Sequence, residues 1–286
     1  MYILIAVIII IRLLIYLYPF TLVERLPCKI QPYSFFRRIP LLIHRTQRNR
    51  YTNGKMFIAC HKKWLDLNPG YQVKWYTDNQ HESFLLNFDK EVYDAYKQLE
   101  PSAFKADLWR LCVLYQYGGV YVDSHTTPFR SLDCIMKYTR DQQHNFISVL
   151  DCKESGSGIH NGFMISSPGH PFMKQCIKDI VNTVKARSYT DNVLAVTGPL
   201  CLLRSIHKVV GTDKSCRVGY NYHGDLTFYL LRFEWGLFQY IYDKKVKIMS
   251  KKYNVLEYLN SKIVNKSKEY SYMWKNKLLY KHTLPT

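Results

Sequence analysis

The side chains best suited to chemistry in this sequence are Asp107, Arg110, Asp123 and His125. Asp123 and His125 stand two residues apart at the end of the apolar run Val120-Tyr121-Val122. A carboxylate and an imidazole at the end of a strand are candidate ligands for a divalent cation, the carboxylate being a hard oxygen donor and the imidazole favouring Mn²⁺, Co²⁺ or Zn²⁺. Asp107 and Arg110 are three residues apart. On a helix they share a face, either as an ordinary ion pair or as a fixed donor and acceptor pair for a ligand.

The elements that must position these groups can be read from the same stretch. The spacing predicts a helix from Ser102, which can cap its N-terminus, with Phe104, Leu108, Leu111, Cys112 and Tyr115 as its buried stripe. Gly118-Gly119 stops the helix, since glycine accepts the left-handed conformation found just beyond a helix end. Residues 120–123 then alternate, so Tyr121 and Asp123 share one face of a strand and the two valines the other. If the chain stays extended, His125 joins Asp123 on its face.

Upstream, Ile39–His44 is a compact apolar run expected as the first strand of a buried sheet, followed by a helix over 56–67 and a turn at Asn68-Pro69-Gly70. Residues 71–76 alternate as a second strand, and helical patterns cover 82–88 and 91–99. Downstream, 145–150 and 162–166 read as strands, 156–158 as a flexible loop, and Pro171 as the start of a helix reaching about Val184. Strands alternating with helices at this spacing predict an α/β domain with a mostly parallel sheet. From Phe228 onward the chain is aromatic and basic, without a clear period.

The formal charge of +18 favours an anionic partner. The basic residues come in ones and twos, with no basic helix, zinc-finger spacing or RNA-binding signature, so nucleic acid is not the expected partner. None of the eight cysteines forms a C-x-x-C pair, which leaves a zinc ribbon or a thioredoxin-like motif unsupported. Residues Tyr2–Phe20 are almost wholly apolar and about the length of a bilayer core. They predict a single N-terminal membrane-spanning anchor (1–23), a stem (24–38) and one large domain (39–286), with the domain in the secretory-pathway lumen. The sequon Asn265-Lys266-Ser267 is compatible with that location, whereas Arg25, Lys29, Arg37 and Arg38 after the span favour the opposite orientation.

The ordered set IPLLIHRTQ (39–47), WLDLNPGYQVKWYTD (64–78), KADLWRLCVLYQYGGVYVDSH (105–125), NGFMISSPGHPF (161–172) and TGP (197–199) resembles the DXD-containing sugar-transferase family, glycosyltransferase family 32-like. That family includes yeast-type α-1,6-mannosyltransferases, α-1,4-galactosyltransferases and capsular polysaccharide enzymes. The resemblance implies a GT-A-like nucleotide-sugar-binding domain, a nucleotide-sugar donor such as a UDP- or GDP-hexose, Mn²⁺ or Mg²⁺, and a glycan, glycoprotein or glycolipid acceptor, with retention at the anomeric carbon. It implies that Asp107 and Arg110 hold the donor's sugar hydroxyls and that Tyr121 lies beside the nucleotide. Asp123 and His125 fall on the two metal-binding positions, and Asn161, Gly162 and the Thr197-Gly198-Pro199 loop line the same cleft. The sequence departs from the family pattern twice: Ala106 replaces the serine before Asp107, and His125 replaces the second acid. A sugar-nucleotide-binding or glycan-binding chain without turnover is the alternative that the second departure raises. A membrane-tethered nucleic-acid binder is a third, resting on charge alone.

Overall fold

The computed structural model describes residues 39–46, 55–139, 145–153, 156–213, 216–224, 226–235, 239–251 and 270–281. The first half alternates as its periodicity predicts: β1 (Leu42–Thr46), α1 (Lys55–Leu67), β2 (Gln72–Tyr76), α2 (Asp78–Phe88), α3 (Lys90–Gln98), α4 (Ser102–Tyr117) and β3 (Gly119–Val122). There follow β4 (Thr126–Pro128), the short α5 (Asp133–Met136), β5 (Phe146–Lys153), β6 (Gly156–Ile159), β7 (Phe163–Ser166), α6 (Pro171–Lys185) and α7 (Pro199–Val210). The stretch without a clear period is mainly strand: β8 (Gly219–His223), β9 (Leu226–Glu234), β10 (Tyr240–Asp243) and β11 (Val246–Lys251), then α8 (Tyr270–Lys275). The predicted anchor and stem, the sequon and the final residues lie outside the described residues. Among the described residues no helix is long and apolar enough to cross a membrane.

The strands form one sheet in the order β2-β1-β3-β7-β5-β9-β10-β11-β4, with β6 beside β5 and β8 beside β9. The expected mostly parallel sheet is corrected to a mixed one. β1 runs parallel to β2 and β3, and β5 parallel to β9, while the other pairings of the described strands are antiparallel. The difference arises where connections are too short for a crossover helix: β5–β6, β8–β9 and β10–β11 are hairpins, and a hairpin permits only antiparallel pairing. The predicted loop over 156–158 is one of these strands. Its glycines read as flexibility, but Gly158 is there for close approach, since a Cβ on it would stand 2.8 Å from Cβ of Pro199 at the start of α7.

Apolar side chains cover both faces of the sheet. Tyr121, Phe146, Leu150 and Met164 join one buried cluster with α4, α6 and α7, and Val120, Val122, Ile147 and Val149 join the other with Trp64 of α1 and Ile135 of α5. The alternation read along β3 is thus the alternation between two cores. In α4 burial extends beyond a stripe: Leu108 through Leu114 are all buried. Ser102 is the first helical residue and Pro101 occupies the capping position, so the predicted serine cap shifts by one. His44 on β1 ties the sheet to the end of α4. Its Nε2–H donates to the Gly118 carbonyl (3.0 Å), which leaves Nδ1 to accept from the Tyr76 hydroxyl (3.1 Å). Burial pushes its pKa down to about 4, as befits a neutral structural imidazole.

The break between α4 and β3 depends on Gly118. Its φ is +63°, and a Cβ there would meet Pro168 Cδ at 2.6 Å and the Ser166 carbonyl oxygen at 2.9 Å. Gly118→Ala is expected to destabilise the fold by more than about 1 kcal/mol through backbone strain and this collision together. A denaturant midpoint matching wild type in equilibrium unfolding would refute that account.

Candidate functional site

The spacing between Asp107 and Asp123 follows from the geometry of the elements that carry them. From Asp107 to the end of α4 the helix rises about 15 Å, at about 1.5 Å per residue. After the glycine break the chain reverses, and β3 returns about 13 Å by Asp123, at about 3.3 Å per residue. The two carboxylates therefore reach the same level, at the edge where the parallel strands β1 and β3 end. β7 is antiparallel to β3, so the turn that precedes it, Asn161-Gly162, arrives at the same edge.

Arg110 is the hub. Its Nη1 donates to the Asn161 carbonyl (2.9 Å) and its Nε to the Ala106 carbonyl (3.2 Å). Its Nη2 lies 3.4 Å from Asp107 Oδ1 and 3.6 Å from Asp123 Oδ1, and the guanidinium carbon sits 4.5 Å from the centre of the Tyr121 ring. Asp107 accepts from Asn161 Nδ2 on one oxygen (2.9 Å) and from the Thr197 hydroxyl on the other (2.8 Å). The Tyr121 hydroxyl donates to Asp123 Oδ1 (3.0 Å) and lies 3.3 Å from the Thr46 hydroxyl. Asp107, Arg110, Tyr121, Asp123, Asn161 and Thr197 thus form one network drawn from four segments. Two carboxylates face the Arg110 guanidinium, so one carboxylate is left over at this arginine.

The environment shifts the pKa of Asp107, Arg110 and Tyr121. Burial pushes Asp107 up to about 6, against the opposing pull of Arg110 and of its two hydrogen-bond donors. Arg110 moves the other way: burial lowers it, but Tyr121, Asp107 and Asp123 more than offset this and hold it above its ordinary value. Burial raises the Tyr121 phenol, which keeps it a neutral donor to Asp123.

His125 does not continue the strand. The Thr126 N–H donates to the Asp123 carbonyl (3.1 Å), closing a turn through Ser124 and His125, and the histidine side chain is exposed. The alternation rule fails here because the strand ends at Val122. Two contributors escaped the sequence reading. Arg45, fully buried on β1, donates to the carbonyls of Asp123 (3.3 Å) and Ser124 (2.6 Å) and stacks on Trp75 at 4.4 Å, so it fixes that turn. Arg45 and Trp75 are register partners on β1 and β2, a pairing that requires knowing the sheet. The second is His160, beside Asn161. A Cβ on Gly162 would stand 2.4 Å from Asp123 Oδ2 and 2.9 Å from His160 Nε2, so this glycine lets a carboxylate oxygen and an imidazole nitrogen approach its backbone together. Among the described residues no three His, Cys, Asp or Glu side chains could hold a metal ion by themselves.

Residues 54–142 match the family model described as glycosyltransferase sugar-binding region containing DXD motif. The chain is 29% identical over 167 residues to inositol phosphoceramide mannosyltransferase 3 of Schizosaccharomyces pombe, covering 57% of this chain and 44% of that protein. It is 29% identical over 166 residues to the mannosyl phosphorylinositol ceramide synthase CSH1 of Saccharomyces cerevisiae, covering 57% and 41%. The match thus spans less than half the length of either relative. Among solved structures the PaToxG glycosyltransferase superposes with a TM-score of 0.50 at 15% identity, over 60% of this chain and 70% of that one, a likeness of fold. Residues 54–142, which hold α4 and β3 with Asp107, Arg110, Tyr121 and Asp123, are thus similar to the sugar-binding region of DXD-containing glycosyltransferases.

Proposed function

We propose that the chain transfers a hexose from a nucleotide sugar to a glycan, glycoprotein or glycolipid acceptor, with retention and with the help of a divalent cation. The observation that carries this reading is the Arg110-centred network at the carboxyl ends of β1 and β3, where open α/β sheets bind their ligands. Asp107, held on both oxygens, and Arg110 orient the donor sugar, Tyr121 flanks the nucleotide, and the Asn161-Gly162 turn and Thr197 wall the cleft. Asp123 and His160, whose polar atoms meet beside Gly162, would hold a cation, which would neutralise charge on the leaving diphosphate. The named acceptors of the two relatives favour a glycolipid, and the apolar run at Tyr2–Phe20 suits attachment to the membrane that carries it. Incubating the purified chain with UDP- and GDP-sugars and Mn²⁺ tests the reading, and absence of both donor hydrolysis and donor binding would refute it.

The pH dependence follows from Asp107. Arg110 and Asp107's two hydrogen-bond donors favour the ionised form, which is the form that orients the donor sugar in this reading, so turnover is expected to fall about tenfold per pH unit below about 6. The stability contribution of this group has the opposite sign. Its folded value is raised, so the contribution is full below the ordinary value of 3.8 and is lost as pH rises through about 6. A kcat/KM profile flat from pH 5 to 8 would remove Asp107 from this role.

A further inference from the structure

We propose that His160 and Asp123 hold the divalent cation of the donor site between them, and that His125 lies outside its coordination sphere. The inference rests on the donor-site reading above and names the ligands of that site.

Asp123 Oδ2 and His160 Nε2 crowd the same side of the Gly162 α-carbon, 2.4 Å and 2.9 Å from where a Cβ would stand, so the two atoms meet beside this glycine. First-row cations take carboxylate oxygen and imidazole nitrogen at about 2.0–2.2 Å, so rotations that turn both atoms away from the glycine would bring them to a shared ion. The backbone of His160 is anchored at both ends. Its N–H donates to the Val149 carbonyl (2.9 Å) and its own carbonyl accepts from the Ser148 hydroxyl (3.0 Å). Its ring packs 5.2 Å from that of Phe233 on β9. His160 thus lies in the short connection between β6 and the Asn161-Gly162 turn, and these contacts brace it against β5 and β9. His125 contrasts at each point, being exposed and seated in the Ser124-His125 turn.

The donor set is one carboxylate oxygen and one imidazole nitrogen, which suits Mn²⁺ better than Mg²⁺. With two protein ligands, the remaining positions belong to diphosphate oxygens and water. The cation and the nucleoside diphosphate must therefore bind cooperatively, each raising the affinity for the other.

Titrating the full chain with Mn²⁺, alone and with UDP or GDP, and recording pulsed EPR tests this. In wild type the diphosphate is expected to tighten Mn²⁺ binding, and the bound ion should show ¹⁴N coupling to an imidazole. His160→Ala should abolish the coupling and weaken diphosphate-dependent Mn²⁺ binding by at least about tenfold, while His125→Ala should retain both. The bonds that anchor residue 160 are backbone bonds, and the wild-type and His125→Ala spectra bear on the proposal whatever the folding of His160→Ala. Coupling that persists in folded His160→Ala, or disappears in His125→Ala, overturns the assignment. Wild type that binds Mn²⁺ with diphosphate but shows no ¹⁴N coupling overturns the assignment alone. Wild type that binds neither diphosphate overturns the donor-site reading with it.

Discussion

Asp123→Asn is expected to lower donor turnover by about 10²–10³-fold while leaving the fold nearly unchanged. The loss of a carboxylate that offsets the charge of a cation on the leaving diphosphate removes roughly 3–4 kcal/mol of transition-state stabilisation, at about 1.4 kcal/mol per tenfold. Asparagine has the same shape and keeps an oxygen to accept from the Tyr121 hydroxyl, which Asp123 does at 3.0 Å. The Asp123 backbone bonds, to the Gly162 carbonyl and from Thr126 and Arg45, are untouched. Thermal unfolding should therefore shift little while kcat falls and the Mn²⁺ concentration for half-maximal rate rises. Turnover within twofold of wild type would take Asp123 out of the mechanism and, with it, the cation site proposed beside it.

Arg110→Ala should be the more damaging change, because it attacks fold and site together. The guanidinium is nearly buried and faces two carboxylates, the Asn161 carbonyl and the Tyr121 ring. Removing it leaves Asp107 and Asp123 without their shared cation, and breaking a buried pair from one side costs about 3–5 kcal/mol. Donor turnover should vanish at the same time. Arg110→Lys separates the two effects. The ammonium keeps the charge but cannot donate in a fork to Asn161 and the carboxylates at once, so stability should recover in part and turnover should not. Denaturant unfolding together with donor hydrolysis reads both. If Arg110→Lys restored full activity, charge alone would be the requirement and the oriented fork would have no role.

The α4–β3 unit was legible because its determinants are local. Helical spacing, the paired glycines and a period-two run are each specified within a few residues, and the structure departs from them at the cap, where Pro101 stands in place of Ser102, in the unbroken burial from Leu108 to Leu114, and at the strand end, which comes at Val122. The same holds for β2, α6 and β7, whose bounds fall within a residue or two of the pattern. The C-terminal strands were not legible. β9 is buried at Phe228 through Leu231, so its run is continuously apolar and aromatic and has no period that separates strand from helix. Its partner contacts are also remote: the hydroxyls of Tyr229 and of Tyr138, over ninety residues earlier, both donate to Asp243 at 2.8 Å.

The sequence by itself determined that Asp107 and Asp123 would stand at one level. A helix and a strand joined by Gly118-Gly119 have fixed rises, and the spacing between the two acids matches them. What only the tertiary structure decided is which groups meet that pair. Asn161 and Thr197 reach Asp107 across 54 and 90 residues of chain, and Arg45 reaches Ser124 across 79, through strand pairings and helix packing with no local signature. The choice between two histidines is decided at the same level. His125 has the sequence spacing of a ligand but sits in a turn, whereas His160 has no such spacing and is brought to Asp123 by the antiparallel approach of β7 and by a glycine with no side chain to fill the space between them.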